Sequence, residues 1–205
     1  MNSLTLSSVK YKEFRLDEIF EISSVKGKAI ENYKDGKTAY VTSSAINNAV
    51  TNFVSCSSDV ITKSKVISID PIKGTCFYHD YDFVGRGFSG ASINILRHKR
   101  LNRFNGLFFC SLIENISKKK ASYGYLFSLT RLKSAKILVP VDSFGNIHWD
   151  FMQDYIKQEQ DKKALNIRKY YIKKLNNLLK EPILGTSSNI YIISEYEKQQ
   201  CQRCG

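Results

Sequence analysis

The sequence is poor in the residues that form several common catalytic motifs. It has three prolines, Pro71, Pro140 and Pro182, and none adjoins another. The Pro-Pro-aromatic loop with which amino-methyltransferases grip a target base is therefore absent, and no Gly-Lys-Ser/Thr phosphate loop occurs. No run approaches the roughly 18 apolar residues of a membrane span. Residues 1–10 also lack the apolar core of a secretory signal, so we expect no membrane association and a cytoplasmic location.

Residues that bind metals or act as nucleophiles are few and scattered. The five cysteines are widely spaced, which predicts reduced thiols rather than a disulfide framework. Cys201 and Cys204 have the spacing of half a zinc knuckle, so a structural tail and zinc binding across a dimer both stay open. Asp35 and Lys37 match the end of a metal-dependent nuclease motif, which makes a small nuclease one alternative. Otherwise we predict no catalytic residue, no metal site and no cofactor in this chain.

The charge of the chain is strongly biased towards one sign. Lys and Arg number 31 against 19 Asp and Glu, which gives a net charge of +12 and an isoelectric point near 9.4. Such an excess attracts polyanions, and nucleic acid is the most common polyanion inside a cell. A second alternative is therefore a nucleic-acid-binding or scaffold protein without sequence preference.

The first 145 residues have the pattern of an α+β domain with a mostly β core. Residues 11–22 predict a short strand that runs into a helical turn, and a strand from residue 38 leads into the polar loop 43–50. Residues 65–69 and 75–79 predict a hairpin around the turn 70–74. Further strands are predicted at 91–96, at 134–140, where Pro140 closes the strand, and at 189–194. Residues 101–116 have helical spacing of apolar residues.

A long helix is predicted after the domain. Residues 149–181 contain no Gly or Pro, and a helix of that length reaches about 45 to 50 Å. Apolar residues follow a spacing of three and four, which is typical of a helix capable of coiled-coil pairing. A helix packed along its own domain is the alternative. We predict a domain at 1–145, a spacer and dimerisation helix at 146–182 and a short strand with a tail at 183–205.

Side chains that suit nucleic-acid recognition occur on loops that follow strands and on the basic loop that follows the 101–116 helix. Lysines can neutralise phosphates, and hydroxyls can donate to phosphates or reach base edges. Asn can bond adenine, and Arg guanine, with two hydrogen bonds each. For each residue alone a solvated loop is the alternative, but their joint occurrence favours recognition. The candidates are Thr42, Ser43, Ser44, Asn47, Asn48, Arg86, Ser89, Lys118, Lys119, Lys120, Ser122, Tyr123, Tyr125 and Ser128.

The order of several segments resembles a target recognition domain in the specificity subunits of type I and related bifunctional restriction-modification systems. Residues 12–22 resemble the opening of that domain, and residues 40–50 resemble its aromatic, Val/Ile, Thr and Asn-Asn-Gly-Val segment, with Ala49 in place of the usual glycine. The resemblance extends over residues 11–181. The other matching segments, in the family's order, are 74–78, 123–125, 136–140 and 149–156.

The resemblance implies a non-catalytic protein that places its loops in the major groove of double-stranded DNA and reads half of a split target. The long helix would fix the spacing of the half-sites. A methyltransferase (M) subunit, and in some systems a restriction (R) subunit, would supply catalysis, with S-adenosylmethionine, Mg²⁺ and ATP bound only in those partners. Specificity subunits usually carry two recognition domains, so we expect a half-subunit that forms a homodimer through 149–181. A truncated gene product, or a companion of a second single-domain chain, is the alternative.

Overall fold

The computed structural model describes residues 3–87, 92–120 and 126–178, and within these ranges the chain has the α+β fold expected from its sequence. The strands are β1 (Lys10–Arg15), β2 (Glu21–Ser24), β3 (Lys34–Val41), β4 (Val50–Ser55), β5 (Val66–Ile69), β6 (Cys76–His79), β7 (Phe83–Gly85), β8 (Asn94–Arg97) and β9 (Lys136–Val141). The helices are α1 (Leu16–Ile19), α2 (Arg103–Lys120), α3 (Leu129–Lys133) and α4 (Trp149–Leu178). The chain divides into two units, Met1–Lys162 and Lys163–Gly205, the second described only over 163–178.

The strands form three sheets. The largest has the order β2-β8-β5-β6 and is antiparallel throughout. A second sheet has the order β4-β3-β7, in which β3 and β7 are parallel, and β1 pairs with β9 in the third. The predicted hairpin is confirmed as β5 and β6. The Asp70 carboxylate closes its turn by accepting hydrogen bonds from the N–H groups of Ile72 (3.0 Å) and Lys73 (3.2 Å), and Gly74 provides a φ of 69°.

The four-stranded sheet is covered by apolar side chains on both faces. All four residues of β5 are buried, and successive side chains of a strand point to opposite faces. Val66 packs in a cluster with Phe83, whereas Ile67 packs with Phe109 in the larger cluster that contains α1, α2, β9 and the start of α4. Each such side chain contributes about 1.5–3 kcal/mol when fully buried. The four-stranded sheet therefore lies at the centre of the domain, between the two clusters.

The first turns of α4 pack into the domain core. Trp149 stacks on His98 with ring centroids 4.3 Å apart, and Met152 is fully buried. Arg100 forms an ion pair with Asp150 (3.2 Å). This part of the helix therefore packs along its own domain, which was the alternative to a helix that pairs as a coiled coil. The predicted domain limits at 145 and 182 stay a prediction. Among the described helices, none combines the length and apolar character needed to span a bilayer.

Four predicted elements differ from the structure. The strand at the end of the domain continues through Pro140 to Val141, because β9 belongs to a two-stranded sheet whose open edge tolerates the missing N–H. Helix α2 continues through Lys120, so the three lysines predicted in a loop form its last turn. Strand β4, which was not predicted, begins at Val50, the last residue of the predicted polar loop. The strand predicted at 91–96 is observed at Asn94–Arg97, and Ala91 lies outside the described residues, as do the strand predicted at 189–194 and the cysteines at 201 and 204.

Candidate nucleic-acid interface

The segment between β3 and β4, residues 42–49, folds into a turn that its own main chain closes. The N–H of Thr42 donates to the carbonyl oxygen of Ala49 (2.9 Å), and the N–H of Ala49 donates to the carbonyl oxygen of Ile46 (2.9 Å). The hydroxyl of Ser44 also bonds the main chain of Ile46 (3.3 Å). These bonds involve no side chain from the tip at residues 45–48, so the main chain and Ser44 alone hydrogen-bond the turn.

Three consecutive residues of this turn have left-handed backbone conformations. The φ angles are 51° at Asn47, 52° at Asn48 and 61° at Ala49. Asparagine tolerates this region and glycine adopts it freely, whereas an alanine there is strained. The positive φ of Ala49 explains why glycine is usual at this position in the family it resembles. Ala49 is buried, and the two asparagines are exposed at the tip.

Arg86 and Ser43, both predicted as recognition residues, lie in contact. Arg86 follows β7, where its N–H donates to the carbonyl oxygen of Val41 at the end of β3 (2.9 Å). Its guanidinium Nη2 donates to the hydroxyl of Ser43 (2.7 Å). The parallel pairing of β3 with β7 thus joins two residues that lie 43 positions apart in the sequence. The half-buried guanidinium is positioned beside the 42–49 turn rather than extended into solvent.

A further basic segment, absent from the predicted set, lies next to Arg86. Gly27 forms a parallel bridge with Arg86, and the flanking Lys26 and Lys28 are both exposed. Its sequence signal is weak, because a Lys-Gly-Lys string in a polar loop is common. Only the tertiary structure places this segment beside Arg86 and therefore near the 42–49 turn.

The lysines at 118–120 form the C-terminal turn of α2 and differ in their surroundings. The ammonium group of Lys118 pairs with the carboxylate of Glu114 (2.9 Å), whose other oxygen accepts the N–H of Cys76 (2.9 Å). Lys119 is exposed, and for Lys120 only the main chain is described. Because water screens such exposed pairs, the Glu114 contact weakens the charge of Lys118 only partly.

The structure gives Ser128 a local structural partner. Its hydroxyl accepts a hydrogen bond from the N–H of Arg131 (3.5 Å) and thereby caps the N-terminus of α3. Ser-x-x-Arg carries no capping-box signature, so the sequence did not indicate this role. The remaining predicted residues, Ser89, Ser122, Tyr123 and Tyr125, lie outside the described residues.

Strand β6 separates the two groups of predicted residues. Its residues Cys76 and Tyr78 pack in the cluster that contains α2, and Phe77 packs in the cluster that contains Ala49. The α2 lysines and the 42–49 turn therefore lie on opposite sides of β6, which is an edge strand of the central sheet. The structure does not bring all the predicted residues into a single loop cluster.

The Asp35–Lys37 string has a structural explanation. Asp35 and Thr38 both pair with Val54, so the two residues between them form a bulge in β3. A Cβ on Gly36 would lie 2.3 Å from the main-chain nitrogen of Ser55, which only glycine avoids. Within the described ranges, no group of three or more His, Cys, Asp or Glu side chains is arranged to hold a metal ion. The glycine thus serves the sheet, and nothing in the fold around it supports the nuclease alternative.

Comparison with known proteins identifies the class to which this fold and these loops belong. Residues 8–168 match the family described as the type I restriction modification DNA specificity domain. The match covers most of the 205 residues, so this chain belongs to that family. The resemblance of segments 12–22 and 40–50 is thereby confirmed.

Individual relatives agree with this assignment. The specificity subunit S.BcgI of the type II restriction enzyme BgcI from Heyndrickxia coagulans is 32% identical over 165 residues, which cover 77% of this chain and 45% of the relative. The S subunit of a type I restriction-modification system from M. genitalium has a similar fold, with a TM-score of 0.54, 20% identity and coverage of 84% of this chain and 44% of that one. For the HsdS subunit from Thermoanaerobacter tengcongensis the values are 0.53, 16%, 78% and 39%. The chain thus spans less than half the length of each of these proteins.

Proposed function

We propose that this chain is the DNA-recognition component of a restriction-modification system. It binds double-stranded DNA at a defined sequence and directs a methyltransferase subunit to that site. The observation that carries the proposal is the family match over residues 8–168. The contact between Arg86 and Ser43 supports it, because it fixes a base-reading side chain beside a turn of hydroxyl and amide groups.

The 42–49 turn and Arg86 are proposed to read the bases. Thr42, Ser43 and Ser44 supply hydroxyls for the sugar-phosphate backbone, and the exposed amides of Asn47 and Asn48 suit adenine. Arg86 donates to guanine by exchanging its bond to Ser43 for a bond to the base. The contact with Ser43 keeps the guanidinium close to its working position before DNA arrives.

The residues beyond β6 are proposed to hold the DNA backbone. Lys118, Lys119 and Lys120 neutralise phosphates, and Lys119 is the exposed member without an ion pair in the described part of the chain. We further propose that Ser122, Tyr123, Tyr125 and Ser128 contact the bases and that Ser89 also contacts the DNA.

Catalysis is proposed to reside in partner subunits. The chain acts in the cytoplasm with an M subunit, and an R subunit is a further proposed partner. S-adenosylmethionine, Mg²⁺ and ATP are bound by those partners and not by this chain. In this proposal the chain selects the DNA sequence, and its partner subunits catalyse the reactions.

Pairing of two copies is proposed to occur through the later part of α4. Five large apolar or aromatic side chains there are more than half exposed, and four of the five fall within roughly 80° of the helical wheel. A matching face on a second copy would cover them, and an isologous dimer would then recognise two equivalent half-sites. The four residues are Ile167, Tyr171, Leu175 and Leu178.

The proposed function is tested by mapping modified bases across the genome of the host with and without this gene. We expect the deletion to abolish methylation at one bipartite motif while methylation at all other motifs persists. Complementation with the unaltered gene should restore it. Complementation with Arg86→Lys should reduce methylation at that motif, because lysine keeps the positive charge but cannot form the two parallel hydrogen bonds of a guanidinium group. Unchanged methylation in the deletion strain, or Mg²⁺-dependent cleavage of DNA by the purified chain alone, would contradict the proposal.

A further inference from the structure

The chain after β2 passes β7 at an unusually short distance. A Cβ atom on Gly27 would lie 2.1 Å from the carbonyl oxygen of Gly85. A Cβ on Gly87 would lie 2.6 Å from the carbonyl oxygens of Gly27 and Val25. Only glycine permits main chains to approach this closely. The approach holds residues 26–28 against Arg86, so the position of this basic segment is set by backbone packing.

Two tyrosine hydroxyls hold the main chain of Lys28. The N–H of Lys28 donates to the hydroxyl of Tyr33 (2.8 Å), and its carbonyl oxygen accepts from the hydroxyl of Tyr40 (2.7 Å). Burial raises the pKa of Tyr40 to about 12, while the nearby charge of Arg86 acts in the opposite direction. The Tyr40 hydroxyl is therefore protonated at neutral pH, as its donation to the Lys28 carbonyl oxygen requires. An exposed lysine is thus fixed at its main chain next to a proposed base-reading arginine.

The charges of Lys26 and Lys28 are available to a ligand. Both side chains are exposed, and neither forms an ion pair with a carboxylate in the described part of the chain. The acid that responds to them is Asp59, whose pKa is lowered mainly by a hydrogen bond with Ser57 and to a smaller extent by the two lysines. By contrast, Lys63 pairs with Asp82 (2.9 Å) and Lys118 with Glu114 (2.9 Å). The charges of the 26–28 segment therefore have no carboxylate ion-pair partner in the described part of the chain, whereas Lys63 and Lys118 are partly compensated.

We infer that Lys26 and Lys28 form a phosphate-binding element that fixes the DNA backbone beside Arg86. The inference rests on the proposed function and extends it to a segment outside the loops assigned to recognition. A lysine acts on phosphate as a point charge and releases counterions, so its contribution depends on salt and not on sequence. The glycine crossing and the two tyrosines place these charges before DNA binds, which reduces the ordering cost of the contact.

The test compares two double variants of the full chain in binding to a fluorescein-labelled duplex of random sequence at several salt concentrations. Lys26→Ala/Lys28→Ala removes the proposed element. Lys10→Ala/Lys12→Ala is the matched control, because it removes two exposed lysines with the same spacing from β1, which belongs to another sheet. The slope of log affinity against log salt concentration is negative, and each phosphate contact contributes about 0.9 to its magnitude. We therefore expect the first variant to have a slope whose magnitude is smaller by roughly 2. The control should keep the slope of the parent.

The outcomes separate this inference from the proposed function. A Lys26→Ala/Lys28→Ala variant with the slope of the parent would overturn the phosphate-binding element while the parent still binds. An equal loss of slope in the control would also overturn it, because the effect would then reflect overall charge. Failure of the unaltered chain to bind any duplex would count against the proposed function itself.

A second variant tests the positioning of Lys28 without removing charge. Tyr33→Phe deletes the hydroxyl that accepts the Lys28 N–H but leaves both lysines and the Tyr40 bond in place. We expect a few-fold weaker affinity at every salt concentration with an unchanged slope, because the charges remain and only their placement is loosened. The circular dichroism spectrum of the variant should match that of the parent. Affinity equal to the parent's would show that the tyrosine contact does not position the lysine.

Discussion

At the scale of single residues, His79 is a buried titratable group whose two ring nitrogens both have hydrogen-bond partners. Its ring is fully buried, bonded through Nε2 to the hydroxyl of Ser68 (2.7 Å) and through Nδ1 to the hydroxyl of Tyr81 (3.1 Å). Burial lowers the pKa of His79 to about 4, although the charge of Asp80 acts in the opposite direction. The imidazole of His79 is therefore neutral in the folded protein at neutral pH.

This histidine predicts a specific dependence of stability on pH. The pKa in the folded state lies below the ordinary 6.5, so its contribution is complete above pH 6.5 and is lost as the pH falls from about 6.5 to about 4. The unfolded chain binds the proton in this window and the folded chain does not. The loss amounts to roughly 3 kcal/mol in the free energy of unfolding.

Urea denaturation at pH 7 and at about pH 4.5 measures this effect. Whatever its stability at neutral pH, His79→Gln should show a much smaller decrease between the two pH values, because its amide does not titrate. Carboxylates with lowered pKa, such as those of Asp82 and Asp142, lose their contribution only below their ordinary value of 3.8 and do not confuse the comparison. Equal decreases in parent and variant would assign the pH effect to other groups.

Several features at this scale could not be read from the sequence. The left-handed φ of Ala49 contradicts the preference of alanine, and only resemblance to a family with glycine at that position hinted at it. The contact of Arg86 with Ser43 depends on the parallel pairing of β3 and β7, which no local pattern encodes. The residue types were therefore predictable as candidates, and their partners were not.

At the scale of elements, predictions succeeded where a strong local signal agreed with the fold. The hairpin has a β-branched run in β5 and an aromatic run in β6 around an Asp-Pro and Gly turn, and residues 70–74 formed the turn as expected. Strand β4 was missed because it is an edge strand with mostly exposed residues, among them the polar pair Thr51 and Asn52. Its pairing with β3, and not its own sequence, makes it a strand.

We expect the N-terminal cap of helix α3 to make a measurable contribution to the free energy of unfolding. Ser128→Ala should lower the free energy of unfolding by about 1 kcal/mol, because the N–H of Arg131 loses its acceptor. Ser128→Asp should retain the stability of the parent, since a carboxylate also caps a helix. An alanine variant as stable as the parent would show that the cap is not formed.

The aspartate variant then separates the structural role of Ser128 from its proposed contact with DNA. It keeps α3 intact and adds one negative charge at the same position. Weaker binding of a labelled duplex by this variant would report repulsion by a nearby phosphate. Affinity equal to the parent's would remove Ser128 from the proposed interface and leave the cap as its role.

At the scale of the whole molecule, the exposed stripe on α4 predicts a dimer that can be disrupted by charge. Tyr171→Glu/Leu175→Glu should raise the dissociation constant by at least about 100-fold, because burying the new carboxylates would be costly. Sedimentation velocity over a range of concentrations measures the change.

The matched control is Asn166→Glu/Asn176→Glu, which adds the same charge on the opposite side of the helix. It should dimerise like the parent. A parent chain that sediments as a monomer, or equal dissociation in both variants, would contradict pairing through this stripe. The long helix was predictable from its composition, whereas the packing of Trp149 and Met152 into the core required the tertiary structure.

The self-closing bonds of residues 42–49 have a consequence for how new specificities could arise. Because the main chain and Ser44 hold the turn, the exposed side chains at positions 45 and 46 can be exchanged while the scaffold persists, whereas the left-handed positions 47 and 48 favour Asn or Gly. Mutational drift at these few codons would then retarget the protein without refolding it, and a randomised library at the same positions is a rational route to engineered preferences.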